Sequence, residues 1–489
     1  MSVRAKGQFR QAPKVNLKSC LVGFAGMAAC QHLVYQASMT HPSSSRTVAA
    51  NGPVALPPVT PITAIALAVA NMIGIGVFTS LGFQVKDLPS GFTLLMLWVV
   101  GGIIALCGAL SYVELATMFP RSGGEYNFLS RIYHRAIGFL AGWVSATVGF
   151  TAPTALAAMA FGSYFAGVVP GMPPLALALA LIWSIALVHL RGVERASTFQ
   201  NVSTFIKVAL IVAFIGAAFA LGTPSSISFA PSAHDVGQIV SPAFAVSLAF
   251  VMYSYAGWNA VTYIAGEVQD PQRTLPYSVI VAVILVTALY VGLNAVFLHS
   301  TPIDQLTGQI DVAVVAGHHI FGDIGGRIVG ALICIGLVST VSAMMWLGPR
   351  VIMVMGEDFP LLSPFARRTA NGVPTLAVLF QLGVVTLLLL TQGFESILEF
   401  IQFSLTISSF LTVLGVIVLR FTQPDLPRPY RVWGYPVTPL VFLAVSLFMM
   451  INLALERPAQ SLAGMAMMLT GLLVYGLSLR YPRAHARSL

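Results

Sequence analysis

Charged residues are scarce in this chain. They make up 8% of its 489 residues, whereas soluble domains carry about 25%. Hydrophobic residues make up 57%, which excludes a soluble globular enzyme and predicts an all-α polytopic membrane protein. A membrane span needs about 20 apolar residues, and the sequence has room for about a dozen such spans.

Motifs for covalent or redox chemistry are lacking as well. No nucleophile motif, Gly-rich phosphate loop or HExxH sequence occurs, so we expect neither enzyme activity nor a cofactor. The cysteines show no metal-ligand spacing and no disulfide framework; they are Cys20, Cys30, Cys107 and Cys334. His318-His319, in a loop beside Asp311 and Asp323, is too sparse a pattern to predict a metal site, although it leaves zinc open.

Residues 1–58 differ in composition from everything that follows. Basic residues precede a short apolar patch at 21–29, and a polar run rich in Ser and Pro follows it. The patch is too short to span a membrane. We interpret the segment as a disordered cytoplasmic tail, with Met39 as an alternative start, and expect residues 1–38 to be dispensable. A secretory or lipoprotein signal is the competing interpretation.

Twelve apolar segments follow the tail. Gly and Pro recur inside several of them, as membrane helices tolerate. Their approximate limits are 61–83, 92–118, 137–161, 174–190, 201–221, 242–266, 277–298, 327–348, 373–391, 398–419, 437–455 and 461–479.

The basic residues predict how these segments are oriented. If the N-terminus is cytoplasmic, 21 of the 25 Lys and Arg residues fall on the cytoplasmic side, and Lys86, Arg327 and Arg457 fall outside. Positive residues concentrate in cytoplasmic loops, so we expect both termini, including the tail 481–489, in the cytoplasm. The net charge of +9 then reflects topology and contact with anionic lipid rather than nucleic-acid binding.

Two apolar segments are interrupted at mid-depth. The first contains NMIGIGVF at 71–78, and the sixth contains FVMYSYAGWN at 250–259. Glycine costs about 1 kcal/mol relative to alanine inside a helix, so these stretches predict either a broken helix or a close helix contact through small residues. The segments are five apart, so two halves that begin with them have opposite orientations. Interrupted helices at matching positions point to a transporter's binding site.

A broken helix offers backbone groups to a ligand. The second half begins with free amides that favour a carboxylate, and the first half ends with free carbonyls that suit an ammonium group. Two opposed breaks, at Gly74–Gly76 and Ser254–Gly257, therefore predict a receptor for a zwitterion. Tyr253 is a candidate lid over this ligand, or simply a packing residue.

Few ionisable residues lie inside the segments. Lys207 is one, and a charged residue within a span is a functional hypothesis by default. It either couples transport, as a proton carrier or in the place of a transported cation, or reaches the lipid headgroups. Glu114 and Glu399 are expected at the membrane interfaces rather than buried.

Several stretches resemble the amino acid–polyamine–organocation (APC) superfamily of permeases. IGIGVF at 73–78 resembles its first-span signature, and FPRSGGEY at 119–126 is similar to its loop after the second span. EVQDPQRTLP at 267–276 and RPYRVWGYP at 428–436 look like its sequences after the sixth and before the eleventh span. YAGWN at 255–259 is similar to the L-type amino acid transporter branch and its bacterial relatives.

The resemblance covers residues 60–480 and implies a LeuT-like fold of 12 transmembrane helices, a 5+5 inverted repeat with helices 1 and 6 broken. It divides the chain into repeats at 59–221 and 242–420 and two further helices at 437–480. It also implies that Lys207 occupies the region of a sodium site. The substrate-binding residues implied by position are Ile73, Gly74, Ile75, Gly76, Tyr253, Ser254, Ala256 and Gly257.

We therefore expect an amino acid permease of the inner membrane that works by alternating access, coupled to protons or to exchange. No acidic side chain is predicted at mid-membrane to neutralise a cationic substrate, and no arginine to match an acidic one, which favours neutral amino acids. A polyamine or organic-cation antiporter on the same fold, and a membrane amino acid sensor that does not transport, are the alternatives. No partner subunit is predicted.

Overall fold

In the computed structural model of the chain, the described residues are 58–169, 171–225, 227–239, 241–309, 312–391, 394–456 and 458–480. All but the last residue of the predicted tail 1–58 lies outside these ranges, as do Cys20, Cys30, Asp311, Arg457 and the predicted tail at 481–489.

Helices make up the secondary structure of the described ranges, apart from one isolated β-bridge between Val59 and Val268. Short π- or 3-10 helices occur at Ser145–Gly149, Ala260–Glu267, Gly322–Ile324 and Pro360–Ala366. The α-helices are α1 (Pro61–Met72), α2 (Gly76–Gln84), α3 (Gly91–Met118), α4 (Glu125–Ile132), α5 (Arg135–Val144), α6 (Thr151–Val168), α7 (Pro174–Leu190), α8 (Val193–Leu221), α9 (Ala233–Ile239), α10 (Pro242–Tyr255), α11 (Pro271–Ser300), α12 (Ile303–Leu306), α13 (Val312–Phe321), α14 (Gly325–Asp358), α15 (Thr375–Thr391), α16 (Phe394–Thr422), α17 (Val437–Glu456) and α18 (Pro458–Arg480).

Each of the twelve predicted apolar segments coincides with helical structure. By length and composition, seven stretches of the described chain can cross a membrane, and several shorter apolar helices accompany them. The protein is thus an all-helical multi-pass membrane protein. The seven stretches are Pro61–Gln84, Gly91–Met118, Arg135–Ala166, Val193–Leu221, Pro271–Ser300, Gly325–Asp358 and Leu405–Thr422.

The outward faces of several helices are apolar. Trp183 on α7, Phe205 on α8 and Leu387 on α15 are all exposed large hydrophobic residues. Extended exposed apolar surface is unusual for a soluble monomer. It is the surface that hydrocarbon chains of a bilayer would cover.

The first and sixth segments are both interrupted, as the sequence predicts. Helix α1 starts at the N-cap Thr60, whose side chain accepts from the amide of Thr63, and it ends at Met72. Helix α2 begins at Gly76. The sixth segment starts at the N-cap Ser241, ends its α-helix at Tyr255 and resumes as a 3-10 helix at 260. We call 73–75 the first break and 256–259 the second break.

Ion pairs hold several loops together on one face of the molecule. Arg121 pairs with Asp358 at 2.8 Å and with Glu357 at 2.9 Å, which joins the loop after α3 to the end of α14. Arg350 of α14 pairs with Glu267, just before α11, at 3.1 Å. We call the surface that carries these pairs the basic face.

Glu114 forms a further ion-pair cluster there. Its carboxylate lies 2.8 Å from Arg420 and 3.7 Å from Arg428, and it accepts from the amide of Val432 at 2.6 Å. The side chain is only 1% exposed, so the expectation of an interfacial rather than buried position is wrong. Arg420 comes from the last turn of α16 and Arg428 from the loop that follows it, and the sequence of α3 alone cannot indicate either partner.

The Glu114 cluster makes a prediction about stability. Glu114→Gln leaves two arginines facing a neutral amide, and breaking a buried pair by changing one partner costs about 3 kcal/mol. We expect a clear loss of thermal stability in detergent, measured by a fluorescence melting curve. Glu194→Gln, at an exposed glutamate of α8, is the matched control. Equal melting temperatures for both variants would contradict the structural role.

Candidate binding cavity between the two breaks

A cavity of about 160 Å³ lies where the two breaks meet. An engineered cavity of about 150 Å³ in another protein admits benzene, so this space suffices for a small ligand. It is lined by residues from the breaks, α4, the π-helical turn, α6, α14, α16 and α17. Those from the breaks and their flanks are Asn71, Met72, Gly74, Ile75, Gly76, Met252, Tyr253, Ser254, Ala256, Gly257, Trp258 and Asn259.

At each break, a glycine packs directly on the end of the helix that leads into the other break. A Cβ atom on Gly76 would lie 2.5 Å from Ser254 Oγ and 3.1 Å from its Cα. A Cβ atom on Gly257 would lie 2.3 Å from Asn71 Nδ2 and 2.9 Å from the Asn71 carbonyl oxygen. Gly257 also has a φ of +108°, which favours glycine. Both alternatives raised by the sequence, a break and a close contact through small residues, therefore hold at the same place.

Free amides face this meeting point. The backbone N–H groups of Ile75, Gly76 and Val77 have no hydrogen-bond acceptor among the described residues, and α2 has no side-chain cap. In the second break, the amides of Gly257 and Trp258 likewise find no acceptor within the described chain. Consecutive unpaired amides at a helix start are a ready anion-binding site.

The carbonyls at the ends of α1 and α10 already have donors. Tyr290 Oη lies 2.7 Å from the Met72 carbonyl oxygen and 2.8 Å from that of Ser254, so its hydrogen can be donated to either break. The Ile73 carbonyl accepts from Thr340 Oγ1 at 2.7 Å. A carbonyl oxygen has two lone pairs, and that of Ile73 uses both, because it also accepts from Lys207. The Tyr290 hydroxyl has one hydrogen, so it leaves a lone pair free on either the Met72 or the Ser254 carbonyl.

Lys207 is bound to the first break rather than to the membrane surface. Its Nζ donates to the carbonyl oxygens of Ile73 at 2.8 Å and Ala70 at 3.3 Å, and to Thr340 Oγ1 at 2.7 Å. The side chain is 1% exposed, which contradicts the alternative that it reaches the headgroups. The ammonium sits at the carbonyl end of α1, where the helix dipole favours positive charge.

The structure brings most of the predicted site residues to one cavity. Gly74, Ile75, Gly76, Tyr253, Ser254, Ala256 and Gly257 all line it. Ile73 instead lines a smaller neighbouring cavity with Lys207. That these residues bind a substrate stays a prediction.

Several polar residues at the cavity were missed by the sequence reasoning. Glu125, Asn259, Thr340 and Ser409 all line it. Glu125 falls in a loop motif between two apolar segments, and only the two preceding glycines, with φ of +108° and +50°, hint at the sharp turn that brings it inward. Thr340 and Ser409 come from α14 and α16, and nothing local marks them, whereas Asn259 belongs to the second break itself.

The remaining candidates lie away from this cavity. The side chain of Glu399 is outside the described part of α16. His319 is hydrogen-bonded to Gln305, and Asp311 lies outside the described residues. Glu114 belongs to the basic face.

A family model and individual relatives both match the chain. The model described as amino acid permease matches residues 59–478. The b(0,+)-type amino acid transporter 1 of Mus musculus is 29% identical over 458 residues, which cover 90% of this chain and 91% of the relative.

Two other relatives extend the comparison. The large neutral amino acids transporter small subunit 2 of Mus musculus is 27% identical, and the match covers 85% of this chain and 79% of the relative. The serine/threonine exchanger SteT of Bacillus subtilis (strain 168) is 25% identical, and the match covers 79% of this chain and 89% of the relative.

The two glycines of the first break make a matched pair of variants. Gly76→Ala places a methyl group against the backbone of Ser254, whereas at Gly74 the nearest atom to a new Cβ is 3.9 Å away. We expect Gly76→Ala to weaken ligand binding by about tenfold or more, roughly 1.4 kcal/mol, because the breaks must separate. Gly74→Ala should change it less. Calorimetric titration of the purified variants measures both dissociation constants. A larger loss of affinity in Gly74→Ala than in Gly76→Ala would contradict the packing argument.

The Tyr290 hydroxyl allows a second test. Tyr290→Phe removes the donor shared by two buried carbonyls, and an unsatisfied buried group costs about 1–3 kcal/mol. We expect a lower melting temperature than for Tyr277→Phe, because Tyr277 is an exposed tyrosine on the same helix. Indistinguishable melting curves would show that the hydroxyl does not stabilise the junction.

Proposed function

Because the chain belongs to the amino acid permease family, we propose that it exchanges neutral amino acids across the cytoplasmic membrane by alternating access. The family makes it a membrane transporter of amino acids. The observation that carries the specific proposal is the cavity at which both breaks present unpaired amides. One of the relatives is named as a serine/threonine exchanger, which supports exchange as the mode of coupling.

The proposed substrate is held by backbone groups. Its carboxylate takes the amides of Ile75, Gly76 and Val77, and its ammonium takes whichever of the Met72 and Ser254 carbonyls Tyr290 leaves free. Such a site needs no buried charged side chain to bind a zwitterion. The small number of free carbonyls is sufficient for this substrate, because one ammonium group requires only a few acceptors.

The charge of the lining favours neutral substrates. Among the described lining residues, Glu125 is the only acidic one and no Lys or Arg is present. A polyamine or organic-cation antiporter needs several carboxylates near its ligand. Glu114, one of two candidates for that role, is paired with arginines outside the cavity, so this alternative has less support.

The architecture proposed for the whole chain is a LeuT-like 5+5 inverted repeat. Repeats at 59–221 and 242–420 each begin with a broken helix, and 437–480 adds two further helices. Twelve crossings of the inner membrane, with both termini cytoplasmic, make the basic face cytoplasmic. The reciprocal packing of the two breaks and the positions of the basic residues support this arrangement.

Lys207 is proposed to stand where a coupling cation would otherwise bind. Its ammonium group lies among three oxygens of α1 and α14, a set of ligands that suits a monovalent cation. Sodium coupling is therefore not part of the proposal.

Reconstitution into liposomes tests the proposed function. Vesicles preloaded with an unlabelled neutral amino acid should take up the labelled one several-fold faster than empty vesicles. Uptake that needs a pH gradient but no internal substrate would indicate proton symport instead. Saturable binding without uptake in any arrangement would favour the sensor, and uptake of polyamines alone would favour the antiporter.

Lys207 can be tested with a matched lysine. Lys207→Ala removes the ammonium that neutralises the carbonyl end of α1, and we expect exchange to fall by about tenfold or more. Lys86→Ala, at an exposed lysine, should exchange at the normal rate. Both variants are compared at equal amounts of folded protein by initial rates of counterflow. Normal exchange by Lys207→Ala would exclude a role in transport.

A further inference from the structure

Glu125 is a buried carboxylate at the edge of the cavity. It is the first residue of α4, the short helix between two spans, and 2% of it is exposed. Gly124 positions it, because a Cβ there would lie 2.7 Å from the ring of Tyr263.

The two oxygens of this carboxylate are in different environments. Oε1 accepts hydrogen bonds from Tyr112 Oη, from Ser409 Oγ at 3.1 Å and, at the 3.5 Å limit, from Asn259 Nδ2. Oε2 is buried and has no partner within the described chain. A bare oxygen beside a ligand cavity is where a further group is expected to bind.

No described cation compensates Glu125. The titratable groups that face it are Tyr112 of α3, which donates to Oε1, and Tyr263 of the 3-10 helix. Ser409 of α16 and Asn259 of the second break do not titrate. Among the other charged residues of these helices, Glu114 and Arg420 pair with each other, and Arg131 of α4 contacts Asn127 and Phe119. The side chains of Glu395 and Glu399 of α16 lie outside the described residues.

We propose that Glu125 is the proton-binding group of the transport cavity and that Oε2 carries the proton while the cavity changes the side to which it opens. The inference rests on the proposed function, because it concerns a step of alternating access. Passing between the two sides requires a cavity closed to both, and in that state a lone carboxylate loses what hydration it has. Burying an uncompensated charge is unfavourable, and one proton removes the charge.

The energetics of the site agree with this assignment. Burial raises the pKa of Glu125 to about 7, although the hydrogen bonds from Tyr112 and Ser409 act in the opposite direction. The carboxyl is therefore mostly protonated below pH 7 and mostly ionised above it. With a single controlling group near 7, exchange should fall roughly tenfold between pH 6 and pH 8.

Two measurements on reconstituted protein test the proposal. The first is counterflow of a labelled neutral amino acid, with the same pH on both sides of the vesicle, from pH 6 to pH 8. We expect the unchanged protein and the exposed-site control Glu194→Gln to lose activity as pH rises. Glu125→Gln, which is permanently neutral and nearly isosteric, should keep its acid-side rate throughout.

The second measurement is an infrared titration of the carboxyl C=O band of the ligand-free protein. A band that titrates near pH 7 should vanish in Glu125→Gln. Tyr112→Phe removes a donor that stabilises the ionised form, so it should move the midpoint upward. This variant tests the assignment even if Glu125→Gln fails to fold.

Three results would overturn the proposal: an unchanged pH profile in Glu125→Gln, a folded but inactive Glu125→Gln, or no titrating band that depends on Glu125. A complete lack of exchange by the unchanged protein would instead refute the proposed function. The infrared titration would still decide whether Glu125 binds the proton.

Discussion

The contact between the two breaks is the constraint on which the rest of the structure depends. Gly76 lies against Ser254 and Gly257 lies against Asn71, each with no room for a side chain. The four half-helices can therefore meet at one point only if both segments lose their regular helical hydrogen bonds there. The unpaired amides of the site are a direct consequence of this crossing, rather than a separate feature added to it.

Unpaired backbone groups inside a membrane protein require a compensating environment. The structure supplies hydrogen-bond partners to the carbonyls at the breaks but not to the amides. The carbonyl ends of α1 and α10 receive Tyr290, Thr340 and Lys207 from α11, α14 and α8, whereas the amides face the cavity. The surrounding helices thus stabilise one half of each break and leave the other half for a ligand.

Much of this could be predicted from the sequence, because it is local. The two Gly-containing interruptions lie inside strongly apolar runs, so the sequence predicts a break or a close helix contact at Gly74–Gly76 and Ser254–Gly257. The structure has helix breaks at 73–75 and 256–259. Lys207 stands out for the same reason. By contrast, Glu114 looked interfacial because its arginine partners lie 306 residues or more away along the chain. Glu125 looked like a loop residue because its motif lies between apolar segments. The pattern of residues within one segment carries no information about partners that lie far away along the chain.

The two ionisable groups near the cavity differ in how completely they are satisfied. Lys207 lies within hydrogen-bond distance of three oxygens, so each of the three protons of its ammonium group has an acceptor. Glu125 has one oxygen that accepts several bonds and one that accepts none. A fully satisfied group resists change as the protein moves and so serves as a fixed part of the scaffold. A half-satisfied group changes its state when its surroundings change, and a cavity that opens and closes changes those surroundings in every cycle. Proton sensitivity is therefore expected on the acidic side chain at the cavity edge.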